Sequence, residues 1–130
     1  LAKLELKSKE ENLDIKTIFM DLNHWEAKEK YDVIVASYLH MYENERAELF
    51  KKIEDSLAKD GYFIGEFFSK KQLSYESGGP KDLDLLYSTE DFTRSFLNCE
   101  KNLTEEIVTL DEGIGHQGIA CVIRVVIKKI

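Results

Sequence analysis

The chain has 130 residues, 43% of them hydrophobic and 33% charged, the make-up of one ordinary globular domain with enough apolar material for a core. A net charge of −7 excludes nucleic acid as the expected main partner, since that affinity comes from Lys and Arg neutralising phosphates. No apolar run approaches the roughly 20 residues needed to cross a bilayer, so no membrane partner is expected.

Two cysteines, Cys99 and Cys121, lie in no metal or redox spacing and suit a reducing compartment, so the expectation is a cytoplasmic protein. LAKLELKSKEEN opens in helix formers with Leu1 and Leu4 three apart, and no capping residue precedes them. Read this way, the chain begins in mid-helix, as a piece of a longer polypeptide would; a start removed from the sequence is the duller alternative. Asn12 suits the left-handed turn that closes this helix. Ile15 to Met20 is rich in strand formers and predicts a strand running into Asp21-Leu22-Asn23-His24-Trp25. Lys28 to Lys30 reads as a solvated turn.

Tyr31 to Tyr42, YDVIVASYLHMY, is the stretch that organises the rest. Its apolar, β-branched run from Asp32 to Ala36 predicts a strand buried on both faces, and the chain turns polar and aromatic at Ser37. Open α/β sheets hold ligands just beyond the carboxyl ends of such strands, which points to Ser37–Tyr42. From Asn44, a plausible N-cap, the period becomes helical, with Ala47, Phe50, Ile53 and Leu57 on one stripe and Arg46 away from it. Asp60-Gly61 predicts a glycine-closed helix end, and GYFIGEFF from Gly61 to Phe68 predicts the next strand. Strand, helix, strand with short joints predicts a parallel crossover unit.

Ser69 to Ser88 carries no regular pattern and holds the only proline, Pro80, so it reads either as a lid or binding loop or as a mobile surface excursion. Ser88 and Asp91 stand in capping-box-like spacing ahead of a short helix with Phe92 and Phe96 on one face. Leu103–Leu110 and Ile119–Ile127 predict two strands joined by the turn Asp111–Gly118, an antiparallel hairpin. Gly113, Gly115 and Gly118 serve that turn's geometry.

This order resembles the carboxyl-terminal two-thirds of a class I S-adenosylmethionine-dependent methyltransferase domain, and its wording is similar to a small bacterial, tellurite-resistance-type branch. The resemblance rests on the strand ending in Asp21-Leu22, on YDVIVASYLHMY, and on LAKDGYFIGEFF. It also rests on SGGPKDLDLLYSTEDF and LDEGIGHQGIACVIRVV, and it covers essentially all 130 residues as a single domain. It implies an α/β fold: a partial Rossmann-like methyltransferase sheet, parallel strands first and a C-terminal antiparallel hairpin last. The departure is that no GxGxG-like segment exists in the chain, so the family's first two strands and its glycine-rich cofactor loop are missing from this truncated version. Without that neighbour the strand at Ile15–Met20 must re-pair with Tyr31–Ala36, swap into another copy, or hang loose. Exposed edges of this kind lead us to expect a homo-oligomer, a dimer at its simplest.

The resemblance implies S-adenosyl-L-methionine as cofactor and a small-molecule methyl acceptor. By it, Asp21 would hydrogen-bond the adenine, Leu22 would pack on the ring, and Ser37 and Tyr38 would line the methionine end. Asp21 could equally just end a strand, as Asp commonly does in turns. His40, Tyr42 and Glu66 fall at the same sheet edge and shape the acceptor side, His40 reading equally well as a satisfied core histidine. Tyr75, Lys81, Glu112 and His116 lie on the two loops placed to cover an acceptor.

Methyl transfer is an in-line displacement that asks mainly for orientation and desolvation, so no catalytic residue is singled out. His24, His40 and His116 with Asp21 show no metal-ligand spacing, and GxSxG and P-loop patterns are absent. Two readings stand: a methyltransferase of small molecules, inactive or weakly cofactor-binding as this chain, or a non-catalytic α/β interaction or scaffold domain derived from one. Titration with S-adenosylhomocysteine separates them.

Overall fold

The structure, a computed structural model, describes residues 1–115 and 117–130; His116 lies outside the described residues. Helix α1, Ala2–Glu10, ends where Asn12 takes φ 54°, the left-handed closure its side chain tolerates. The Ser8 hydroxyl donates to the Leu13 carbonyl at 2.7 Å and ties off that turn. The expected strand at Ile15–Met20 does not form. These residues pair with no strand among the described residues, and Phe19 stands 94% exposed. Strand formers give extended backbone, but a strand needs a ladder partner, and this segment takes none, the re-pairing with Tyr31–Ala36 included.

Strand β1, Tyr31–Ser37, pairs in parallel with strand β2, Leu57–Phe68, across helix α2, Glu43–Ser56. Helix α3 is the short Thr89–Thr93, and strands β3, Cys99–Asp111, and β4, Gln117–Lys129, close the chain as an antiparallel hairpin. The four strands lie in the order β1-β2-β4-β3, with β4 antiparallel to β2. The crossover unit and the hairpin are as the sequence predicts.

Several local expectations change. β1 is an edge strand rather than one buried on both faces: Ile34 and Ala36 pack on the core while Val33 and Val35 are exposed at 52% and 67%. Tyr42, not Asn44, caps α2, and the Glu45 carboxylate accepts the Tyr42 N–H at 3.3 Å. The buried stripe of α2 is Arg46, Leu49, Phe50, Ile53 and Ser56, with Ala47 exposed. The left-handed residue after α2 is Asp60 at φ 64°, not Gly61. Gly61 is needed for space: a Cβ there would sit 2.8 Å from the Ala58 carbonyl oxygen and 3.0 Å from that of Asp32.

Residues 69–88 are packed rather than loose. Two 3₁₀ turns, Lys70–Ser74 and Leu83–Leu85, frame them, and a parallel bridge joins Ser69 to Tyr87. Gln72 is fully buried; its amide donates to the Ser77 hydroxyl and the Gly78 carbonyl, and its carbonyl accepts from the Cys121 N–H at 2.8 Å. The Ser88–Asp91 box forms as expected, the Asp91 carboxylate accepting the Ser88 N–H at 2.9 Å.

The main core lies between the sheet and α2 with α3. Phe50 and Phe92 (5.1 Å between ring centroids), Phe63 and Phe96 (5.3 Å) and Phe67 and Tyr87 (4.6 Å) form one aromatic cluster. A smaller cluster of Phe68, Leu86, Leu110, Ala120 and Val122 forms on the other sheet face, beyond the middle of β2. Between it and the amino end of β1, Val33, Val35, Tyr62, Ile64 and Val126 share that face and stay substantially exposed.

Candidate functional site

Because β1 and β2 run parallel, their carboxyl ends finish together, with Ser37 level with Glu66. The chain leaves β1 through Tyr38, held at φ 49°, a conformation a non-glycine residue adopts at a cost. Its N–H donates to the Glu66 carbonyl at 2.8 Å, and its ring packs on Phe68 with 4.8 Å between centroids. The Tyr38 hydroxyl donates to one oxygen of the Glu66 carboxylate. The other oxygen accepts Arg124 Nε at 2.7 Å, and Arg124 also donates to Glu106 at 3.0 Å.

Burial first, then the hydrogen bond and charge of Glu66, then the charge of Glu112, hold the Tyr38 phenol above its ordinary pKa. Tyr38 therefore stays protonated at neutral pH and acts as a donor, not as a base. Glu66, its hydrogen bond leading, and Glu106 raise the pKa of Arg124.

A second feature lies on the outer edge of β1. Leu22 and Trp25 come forward from the turn at residues 21–25 and face Ile34, Ala36, Ser37 and Leu39 across a cleft of about 300 Å³. Its far wall is Leu49 and Ile53 of α2. The cleft is mainly apolar, of the size at which ligand clefts begin, roughly 300 Å³. Asp21 shapes the turn: its carboxylate accepts the Asn23 N–H at 2.9 Å, and Asn23 in turn donates to Glu45 of α2 at 2.5 Å. A larger recess of about 550 Å³, between residues 26–30 and Lys52, Asp55 and Ser56, lies at the amino end of β1, away from the carboxyl ends where this kind of sheet presents ligands.

The sequence-predicted residues thus fall into separate groups. Leu22 and Ser37 share the apolar cleft, beside Asp21. Tyr38 does not line it; the chain turns its ring to the opposite sheet face, where it meets Glu66. His40 is exposed, not a core histidine, and its ring stacks on Phe68 at 6.3 Å and 12°. Tyr42 is the α2 cap. Lys81 Nζ donates to the Tyr75 carbonyl at 2.8 Å, closing the 75–81 loop on itself. Glu112 is exposed at the hairpin turn, and His116 lies outside the described residues.

Reasoning from the sequence missed Trp25, Arg46, Tyr87 and Arg124. Arg46 carried a signal: it stands on the spacing of Leu49, Phe50 and Ile53, where a charge demands a buried partner. Asp91 is that partner, at 3.0 Å, both side chains being almost fully buried.

No family model matches this sequence, and no curated protein matches it. Solved structures do. TehB from Haemophilus influenzae superposes with a TM-score of 0.74 at 16% identity, over 98% of this chain and 45% of that one. An S-adenosylmethionine-dependent methyltransferase from Clostridium acetobutylicum gives 0.67 at 14% identity, over 98% and 70%. Coclaurine N-methyltransferase, solved with N-methylheliamine and S-adenosylhomocysteine, gives 0.66 at 15%, over 98% and 57%. The fold is that of class I methyltransferases. The chain spans about half the length of TehB, 45%.

Against the cofactor this fold implies, the donor set fits at one end. The apolar walls from Leu22, Trp25, Ile34 and Leu39 suit a flat aromatic ring, and the Ser37 hydroxyl and Asp21 carboxylate supply polar groups at or beside the cleft. No helix of the described residues is long and apolar enough to cross a membrane. Among the described residues, no group of three or more His, Cys, Asp or Glu side chains is placed to hold a metal ion.

Proposed function

We propose that this chain provides the carboxyl-terminal part of an S-adenosyl-L-methionine-dependent methyltransferase that acts on a small molecule. The observation that carries the reading is the convergence of Leu22, Trp25 and Ser37 on one apolar cleft at the carboxyl end of β1 in a fold otherwise known from such enzymes. Leu22 and Trp25 hold the adenine ring, Asp21 takes its amino group, and Ser37 reaches toward the methionine end. When bound, the sulfonium supplies an electrophilic methyl group. The chain's residues orient the acceptor and exclude water around it.

On the acceptor side stand Tyr38, His40, Glu66 and Tyr42, with Tyr75, Lys81 and Glu112 at the rim. Tyr38 and Arg124 pin the Glu66 carboxylate from both sides, so Glu66 offers a fixed negative charge rather than a mobile base. The unpaired edge of β1 and the apolar strip around Val35 and Ile64 favour a homo-oligomer, an edge of this kind being a template for another strand. Two buried free thiols, Cys99 and Cys121, suit a reducing, cytoplasmic setting.

The test uses a built-in reporter, because Trp25 is the only tryptophan and lines the cleft. Titration with S-adenosylhomocysteine should change Trp25 emission with weak affinity, a Kd on the order of 1 mM. Unchanged emission at ten times that concentration, with adenosine equally silent, would favour a non-catalytic α/β scaffold domain instead.

A further inference from the structure

We propose that Arg46 is a positioning residue that locks the turn carrying Tyr38–Tyr42 to the covering segment of residues 82–91. Its guanidinium lies between elements distant in sequence and is almost fully buried. Nε donates to the Met41 carbonyl at 3.0 Å, one terminal nitrogen to the Asp91 carboxylate at 3.0 Å, and the other to the Asp84 carbonyl at 2.6 Å. The guanidinium plane also lies over the Tyr87 ring, 3.9 Å from its centroid. Tyr87 completes the tie: its hydroxyl donates to the Leu39 carbonyl at 2.9 Å.

The carbonyls on either side of His40, those of Leu39 and Met41, are thus gripped from the cover, one by Tyr87 and one through Arg46. The cover is gripped by the same cation at Asp84 and Asp91. Among the described residues no buried side-chain nitrogen or oxygen lacks a partner, so this is a fully satisfied cation in an apolar interior. Burial pushes the Tyr87 phenol up to about 12, against the lowering charge of Arg46, so its hydroxyl remains a donor throughout the neutral range.

A lysine cannot replace this arrangement. The guanidinium reaches three separated acceptors from a planar fork and lies over a ring, whereas an ammonium is a compact point charge that cannot span all three. The turn and the cover therefore move as one body or not at all. The inference rests on reading Ser37–Tyr42 as the rim of the cleft, and it makes the geometry of that rim depend on a residue that touches neither cofactor nor acceptor.

Amide hydrogen exchange on the full chain without any ligand tests this independently of the cofactor reading. In Arg46→Met and in Arg46→Lys, exchange should rise together in residues 38–42 and 82–88 by roughly tenfold or more, the factor expected from losing a charge-assisted hydrogen bond. Residues 62–68 of β2 and 122–127 of β4 should keep their protection. Leu49→Ala, on the same helix but outside the tie, is the control for general destabilisation and should loosen the core strands as well. If Arg46→Met reproduces the Leu49→Ala pattern, or leaves 38–42 and 82–88 unchanged, the proposal is overturned.

Tyr87→Phe keeps the ring under the guanidinium and removes only the bond to Leu39, so it folds even if the Arg46 variants do not. Its exchange should rise roughly three- to tenfold in 38–42 alone. No rise there overturns the tie. Loss of S-adenosylhomocysteine binding with normal exchange would count against the cofactor reading and leave this inference standing.

Discussion

Phe63 and Ile64 are neighbours on β2, yet they live on two different faces of the same sheet. Phe63 is fully buried against Phe67 and Phe96, while Ile64, one residue on, is 41% exposed among Val35 and Val126. The alternation of a strand puts them there, and α2 and α3 cover only the Phe63 side. One face therefore supplies the cooperative core of this chain. The other carries an exposed apolar strip around Val35 and Ile64, then the Glu66–Arg124–Glu106 ion pairs, and the Phe68–Leu86 cluster at the carboxyl end of β2. Binary pattern alone does not distinguish a covered apolar face from an uncovered one.

Truncation on the two faces should break this comparison most sharply. Phe63→Ala should cost about 3–5 kcal/mol in denaturant unfolding, as expected for an aromatic removed from a closed core. Ile64→Ala should cost under about 1 kcal/mol, because its side chain is already half in water. Equal losses at the two positions would mean the open face is closed in solution.

A second prediction uses the glycine that admits no side chain. Gly61→Ala forces a Cβ against the Ala58 and Asp32 carbonyls and should cost about 1–3 kcal/mol by thermal melting, the usual range for overpacking. Little or no change would show that the β1–β2 joint relaxes.

The third concerns association. Val35→Lys and Ile64→Lys should lower the weight-average mass in light scattering if the open face and β1 edge join copies of the chain, since charged residues blunt sheet edges. Mass equal to that of the monomer for the unaltered chain would contradict the oligomer.

The smallest effects are in pH. The Tyr38 phenol has its folded pKa raised above the unfolded value of 10.0. Its contribution is therefore fully present below pH 10, and is lost as pH rises through the higher folded value. Tyr38→Phe should flatten the alkaline limb of the stability curve. Glu105 has the opposite sign: the Ser69 hydroxyl and then Lys71 hold its carboxyl below its ordinary value of 4.5. Its contribution is present above pH 4.5 and fades as pH falls through the lower folded value, so Glu105→Gln should make the acid limb shallower.

Much of the architecture was legible. The crossover unit, the hairpin, the capping box at Ser88 and the left-handed Asn12 all follow from local patterns of period, turn residues and caps. What was not legible depends on neighbours. Ile15–Met20 has strand composition, but a strand is a property of a pair; the missing glycine-rich part signalled that its neighbour was absent, and within this chain it does not re-pair with β1. Asp60 takes the left-handed turn, and Gly61 is instead a glycine because backbone carbonyls, two of them from β1 and distant in sequence, occupy the space a Cβ would fill.

The site was half legible for the same reason. The end of β1 marked the region, and Leu22 and Ser37 do meet in a cleft. Tyr38 turns to the opposite face because of a φ angle the sequence does not display. Arg46 was hidden because a charged helix residue ordinarily lies in solvent. Its spacing placed it on the apolar stripe, and only the three-dimensional approach of Asp91 and Tyr87 explains how a cation survives there.

A cofactor bound in the Leu22–Ser37 cleft must perturb the amides that line it, and chemical-shift mapping with S-adenosylhomocysteine reads this residue by residue. The predicted result is a set of shifts concentrated at Leu22, Trp25, Ala36 and Ser37. Shifts confined to residues 26–30 and 52–56, at the opposite end of β1, or none at saturating ligand, would contradict it.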